Sequence, residues 1–222
     1  MNLVRWHLCR SAVWLMVSVA LSACVCAVAS EAYASAVVAL DGSQRAAMSD
    51  AIVHGVVLSS EPVVLEDGRL VTRHTVRVIR WFKADGARVN AETVHIYTRG
   101  GRIGDQVTHV SEEAQMDPGE EVVIYLIALS SDAGEKRYFS LGMAQGTYIV
   151  LERGEERRVV RSDVRMRRRA SQATRVRASV VVQPEAGDQT LDAFVAQIEK
   201  DIAMGLRRED VMRQLPARRV VP

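Results

Sequence analysis

The sequence predicts a mainly β protein, a small antiparallel barrel or sandwich with an amphipathic helix near its C-terminal end. Three observations lead there. Short stretches rich in valine and isoleucine recur between glycine, proline and aspartate punctuation across residues 50–151, the spacing of strands joined by turns. The longest of them, Leu70 to Phe82, alternates. Leu70, Thr72, His74, Val76 and Val78 share one face, and Arg73, Thr75 and Arg77 the other, which is the period of a half-buried strand. Beyond this region Leu191, Phe194, Val195, Ile198 and Ile202 form one stripe at helical spacing, with Thr190 as N-cap and Gly205 as stop.

Taken in order, the chain opens with Arg5, His7 and Arg10 and no acid, then runs apolar from Ser11 through Ala29. A basic head, an apolar middle and the small-x-small pattern Ala32-Tyr33-Ala34 describe a signal peptide over residues 1–34, cut between Ala34 and Ser35. Two alternatives share the segment. A membrane-spanning anchor needs ~20 apolar residues, and small residues dilute the second half of this run. Leu21-Ser22-Ala23-Cys24 also reads as a lipobox, with Cys24 as the acylated residue, although the apolar residues continue past it. The expected location is therefore exported, periplasmic or secreted, the alternative being an outer-membrane lipoprotein. All three cysteines, Cys9, Cys24 and Cys26, lie in the leader. Cleavage after Ala34 leaves a chain without disulfide, thiol nucleophile or cysteine-based zinc site.

Residues 35–49 read as a short entry strand over 36–41 followed by helical turns at Ser43–Ser49. Strands are expected at Ile52–Leu58, Leu70–Phe82 and Thr93–Thr98, with a turn at Asp67-Gly68. A long glycine-rich loop fills 99–118. Glu120–Ala128 is a continuous apolar run, suited to a strand covered on both faces, and Tyr138–Leu141 and Thr147–Leu151 complete the β region at 50–151. Its expected interior holds Val53, Val76, Val78, Val94, Ile96, Val123 and Leu126. Residues 152–189 form an arginine-rich strand or connection. Nine arginines stand against Asp163 alone between Arg157 and Arg177, so the stretch reads as a solvated, poorly ordered tether, with anion binding as the alternative. The C-terminal helix is placed at 190–215.

Chemistry is conspicuous by its exclusions. A formal net charge of +2 over 222 residues provides no global field for nucleic acid. There is no G-x-S-x-G elbow, P-loop, dinucleotide fingerprint or H-E-x-x-H. No catalytic, cofactor-binding or metal-binding residue is assigned, and no cofactor is expected. His54 and His74 would face each other if the first two strands paired through the Asp67 turn, the start of a metal pair without a matching carboxylate. The residues best placed to meet a partner are those of the glycine-rich loop, Gly100, Gly101, Arg102 and Gly104. The reading is a non-enzymatic binding module, and the alternative is a hydrolase whose site is assembled from dispersed residues such as His54, His74 and Glu112. The chain is read as a monomer whose partner is an envelope protein or a polyanion, without nucleic acid, and which touches a membrane only through its leader or a lipid anchor.

Several segments carry a resemblance. Ser49-Asp50-Ala51-Ile52-Val53-His54-Gly55-Val56-Val57, Thr75–Ile79 ending in Phe82-Lys83, Gly100-Gly101 to Gly104, Pro118–Val123 and Gly142–Gly146 resemble, in the same order, a family of exported proteins of unknown function from myxobacteria and related bacteria. The layout is also similar to the OB-like barrel of tissue inhibitors of metalloproteases and netrin-like modules. That resemblance implies a small OB-like barrel with a C-terminal helix. It does not carry the inhibitors' activity, because they chelate zinc through an N-terminal cysteine that a chain beginning at Ser35 lacks.

Overall fold

The computed structural model describes residues 39–84, 91–130, 136–163 and 189–215. The leader, with Cys24, Ala34 and Ser35, lies outside the described residues. Asp41 caps the first helix, α1 (Gly42–Met48), in a capping box in which its side chain accepts from the Gln44 amide and Gln44 reaches back to the Asp41 amide. This corrects the expected entry strand over 36–41: residues 39–41 lead into a helix cap, and 36–38 are not described.

Two long strands follow, β1 (Ala51–Val64) and β2 (Leu70–Lys83), paired antiparallel along their length through the Asp67-Gly68 turn. Register shifts at Ile52/Val53, His54/Gly55 and Val57/Ser59 bend β1, as bulges do. β3 (Thr93–Arg99) pairs with β2, and a small hairpin, β4 (Gly101–Ile103) and β5 (Gln106–Thr108), stands apart as its own two-stranded sheet. β6 (Glu121–Ser130), β7 (Lys136–Ser140), β8 (Thr147–Arg153) and β9 (Glu156–Arg161) then add to the main sheet, with a 3₁₀ turn at Met143–Gly146 between β7 and β8. A two-residue β10 (Gln189–Thr190) leads into α2 (Leu191–Ala203), and α3 (Arg208–Gln214) closes the described chain.

The main sheet runs β1-β2-β3-β7-β6-β8-β9-β10, with β1 also paired to β6. Five of its strands thus pair in a ring, β1 to β2, β3, β7, β6 and back to β1. The ring is not purely antiparallel, since β3 and β7 run parallel through Ile96↔Tyr138 and Tyr97↔Phe139. β8 and β9 extend the sheet beyond the ring from the first half of β6, Glu121 to Ile124. The expectation of one antiparallel barrel over 50–151 is corrected accordingly: the architecture is a large mixed sheet with a C-terminal helix.

Apolar parity explains both sides of it. Val53, Val76, Val94, Ile96, Val122, Ile124 and Leu126 form an inner cluster, against which Val78 packs. On β6 the intervening residues Val123 and Tyr125 point the other way, into a cluster with Ile52, Tyr148, Leu191, Phe194 and Ile198. Val123 therefore leaves the expected interior for the layer beneath α2, and the unbroken apolar run of β6 reflects burial on both faces. The Phe194 ring lies 4.5 Å from that of Tyr148, within the range of favourable aromatic pairs.

The helical C-terminus follows its stripe. Thr190 accepts from the Ala193 amide as N-cap, and Gly205, at φ +64°, ends α2 in the left-handed conformation glycine favours. The expected single helix over 190–215 is thus two. Arg208 of α3 donates to the Met48 carbonyl and, at 2.9 Å, to Asp50, while Lys83 Nζ donates to the carbonyls of Ala46 and Ser49 at 2.9 and 2.6 Å. Two cations therefore satisfy the carbonyl end of α1. The arginine-rich stretch divides. Arg157, Arg158 and Arg161 belong to β9, anchored by buried Val159 and Val160, and pair with Glu121, Glu156 and Asp163. That portion is structure rather than tether, and the remaining six arginines, Arg165 to Arg177, lie outside the described residues.

Candidate ligand cleft

The glycine-rich segment is not an irregular loop. Gly104 (φ +57°) and Asp105 turn the β4–β5 hairpin, and Gly100, at φ +88°, sits where an added Cβ would lie 2.5 Å from the Thr108 carbonyl oxygen. Only glycine meets both requirements there. The hairpin is rooted on β2, because the Gly100 amide donates to the Leu70 carbonyl and Thr72 Oγ1 donates to the Gly100 carbonyl, both at 3.0 Å. Its outer surface exposes Ile103 (39 %) and Val107 (63 %).

A cleft of about 430 Å³ opens between this hairpin, the start of β2, the end of β3, and the connection 109–117. Ser60, Thr72, His74 and Thr98 reach it from the sheet, Arg99 to Arg102 and Thr108 from the hairpin and its root, and His109, Glu113 and Asp117 from the connection. The connection is held in place by Met116, whose side chain joins the inner cluster. It is also held by the Ala144 amide, which donates to the Glu112 carbonyl at 3.0 Å.

His74 lies 3 % exposed at the base of the cleft. Its Nδ1 is 2.8 Å from Ser60 Oγ and its Nε2 is 2.9 Å from Thr98 Oγ1. Ser60 in turn donates to the Met116 carbonyl at 3.3 Å. Both ring nitrogens thus meet hydroxyl oxygens, which can donate or accept, so the neutral imidazole is satisfied in either tautomer. Burial accordingly pushes the imidazole down to about 4, against the pull of Asp117. A serine beside a histidine suggests a nucleophile, but the far ring nitrogen meets the Thr98 hydroxyl where the serine–histidine–aspartate arrangement places a carboxylate that stabilises imidazolium.

Glu113 is a buried carboxylate of the cleft, 7 % exposed. Burial raises its pKa, against the opposing charge of Arg99 and a hydrogen bond from the Arg99 amide. Its Oε2 meets no hydrogen-bond donor among the described residues.

The expected site residues therefore separate. Gly100, Gly101 and Arg102 line the cleft with His74, and Gly104 turns the hairpin above it. His54 and His74 do not face each other, since His54 pairs with Arg80 and His74 with Ser60. His54 instead lies outside the ring, its Nε2 2.5 Å from Glu121 Oε1, and the same oxygen receives Arg157. Glu112 is exposed at φ +62°, and its neighbour Glu113 is the carboxylate that lines the cleft. The dispersed triad His54, His74 and Glu112 does not assemble. Two signals for this cleft stand in the sequence. Gly104-Asp105 is a hairpin dipeptide, and Ser60 lies opposite His74 once the Asp67 turn sets the register.

Among the described residues no group of three or more histidine, cysteine, aspartate or glutamate side chains is arranged to hold a metal ion. No described helix is long and apolar enough to cross a membrane. Compared with known families and curated proteins, the chain matches no family model and no curated protein.

Proposed function

We propose that this chain is an exported, non-catalytic binding module of the cell envelope, built on an OB-like ring, that takes its partner in the cleft beside the glycine hairpin. The observation that carries the reading is the cleft itself. About 430 Å³ is flanked by a hairpin whose glycines permit close backbone approach, and such concave space with a few convergent polar groups is where ligands bind. The five-stranded ring with one parallel pair supports the OB-like description, and the cleft lies across β2 and β3, the face such barrels commonly use. Export rests on the basic-apolar-small order of residues 1–34, with release after Ala34 and lipidation of Cys24 as the alternative. The hydroxyl network around His74 favours binding over hydrolysis.

A photo-crosslinking residue placed at Arg102 or Val107, and for control at Met212 on α3, tests this in envelope extract of the native cell. The hairpin positions should yield one discrete adduct that the control lacks. Equal labelling from all three positions overturns the reading.

A further inference from the structure

We infer that the cleft receives a protonated primary amine, a lysine side chain of the partner or a small free amine, against the carboxylate of Glu113. The inference rests on the binding role just proposed and names the group that enters. Glu113 lines the cleft with 93 % of its surface buried and one carboxylate oxygen without a donor among the described residues. A buried carboxylate oxygen left unbonded is costly, and a charge-assisted donor offsets that cost most fully.

The surrounding groups set the sign of the ligand. His74 lies buried at the base of the cleft with a hydroxyl at each ring nitrogen, and burial disfavours its charged form, so the base of the cleft brings no competing positive charge. Asp117 lies on the same connection as Glu113 and adds a second negative charge. Arg99, the last residue of β3, acts on Glu113 through its charge and its amide but keeps its side chain exposed, and Arg102 of the hairpin already donates through Nε to the Gly104 carbonyl at 3.1 Å. His109 completes the rim. The ionic character of the cleft is thus split, acidic along the connection and basic along the outer hairpin. An ammonium group fits the inner, acidic side, and its aliphatic stem would run out past Val107.

Burial also raises the proton affinity of Glu113. An incoming ammonium and a proton therefore compete for the same oxygen, so amine binding should weaken as pH falls and should release protons.

The test is a titration of the whole protein, followed by amide and imidazole resonances, with three probes: Nα-acetyl-lysine amide, cadaverine and the uncharged Nα-acetyl-norleucine amide. The lysine probe is expected to shift resonances of Glu113, Ala114 and His74 saturably, with norleucine at least tenfold weaker. Comparable binding of cadaverine assigns the site to free amines, and preference for the lysine probe assigns it to a protein partner. Glu113→Gln, expected to melt at or above the wild-type temperature, should weaken the lysine probe at least tenfold and remove its pH dependence. Equal affinity for lysine and norleucine probes, unchanged binding in Glu113→Gln, or tighter binding of Nα-acetyl-glutamate amide overturns the inference. If the variant does not fold, the lysine–norleucine comparison and the wild-type pH dependence decide alone. Crosslinking from Arg102 that persists while every amine fails leaves the cleft a binding site and removes only the amine. Failure of both removes the site as well.

Discussion

Gly55 lies at a register shift in β1, and its replacement by alanine isolates a purely steric effect. An added Cβ would lie 2.4 Å from the Arg77 carbonyl oxygen and 2.6 Å from Val76 Cγ1, where unstrained non-bonded contacts sit at about 3.5–4 Å. Neither neighbour yields easily. The oxygen belongs to the β2 backbone opposite Val56, and Val76 is fully buried in the inner cluster. Overpacking costs roughly 1–3 kcal/mol, and two clashes at once, one of them with backbone, place Gly55→Ala at about 3 kcal/mol or more. For a domain of this size that is a fall of roughly 6–12 °C in melting temperature, measurable by circular dichroism and by urea unfolding. Gly68→Ala provides the contrast. Gly68 has φ +79° and nothing within 4 Å of a built Cβ, so its cost is the left-handed conformation alone, about 1–2 kcal/mol. In the double variant Gly55→Ala/Val76→Ala the Cγ1 clash is gone, so its loss should be smaller than the sum of the single losses. Melting of Gly55→Ala within 2 °C of wild type, or above Gly68→Ala, would show that β1 and β2 do not meet in this register.

Three further outcomes are expected. His74, neutral and depressed to about 4 in the fold, stabilises the protein fully above its unfolded value of ~6.5, and about 3 kcal/mol of that is lost as pH falls from 6.5 through 4. His74→Gln should flatten this acid limb in chemical unfolding measured across pH. Glu113 acts with opposite sign, since its raised pKa makes stability decline as pH rises through the folded value, and Glu113→Gln should remove that decline. Phe194→Ala empties a site only 4 % exposed and should cost about 3–5 kcal/mol, with hydrogen exchange quickening in α2 ahead of β6. Intact mass of the natural product should correspond to a chain beginning at Ser35, and a lipid increment on Cys24 would refute release.

Legibility in the sequence followed the length of the periodic signal. β2 and α2 were readable because thirteen or more residues hold one period, 2.0 for the strand and 3.6 for the helix. β6 was readable as a strand but not in its parity, because Val122 to Leu126 is apolar at every position and only the contacts of Val123 with the helical layer fix which way it points. β9 was readable only as strand or connection because of its charge: Arg157 looks solvated until the distant Glu121 is brought beside it. β4 and β5, three residues each, are too short to show alternation. The closing pair β1–β6 and the parallel pair β3–β7 join distant segments, and no local pattern encodes such partners. The cleft was legible only in its glycines. His74 was visible as a strand residue, whereas Glu113 sits in a connection without a period, where nothing distinguishes its direction from that of Glu112.

The β1–β6 pairing has a consequence for the order in which the chain can assemble. Ala51↔Leu126 through Val56↔Glu121 joins residues about 70 positions apart, so closure carries a loop-entropy cost and belongs to the slow, non-local class of folding events. A chain made from its N-terminus forms the β1–β2 hairpin first and must then wait for β6. Throughout that interval one edge of β1, Ala-Ile-Val-His-Gly-Val, presents unpaired amides and carbonyls beside apolar side chains, a template for pairing with another copy. His54 and Gly55 interrupt that run with a titratable ring and a residue of low strand preference. The two residues at a bend of the finished strand are thus also the ones that interrupt the apolar edge of the unfinished one.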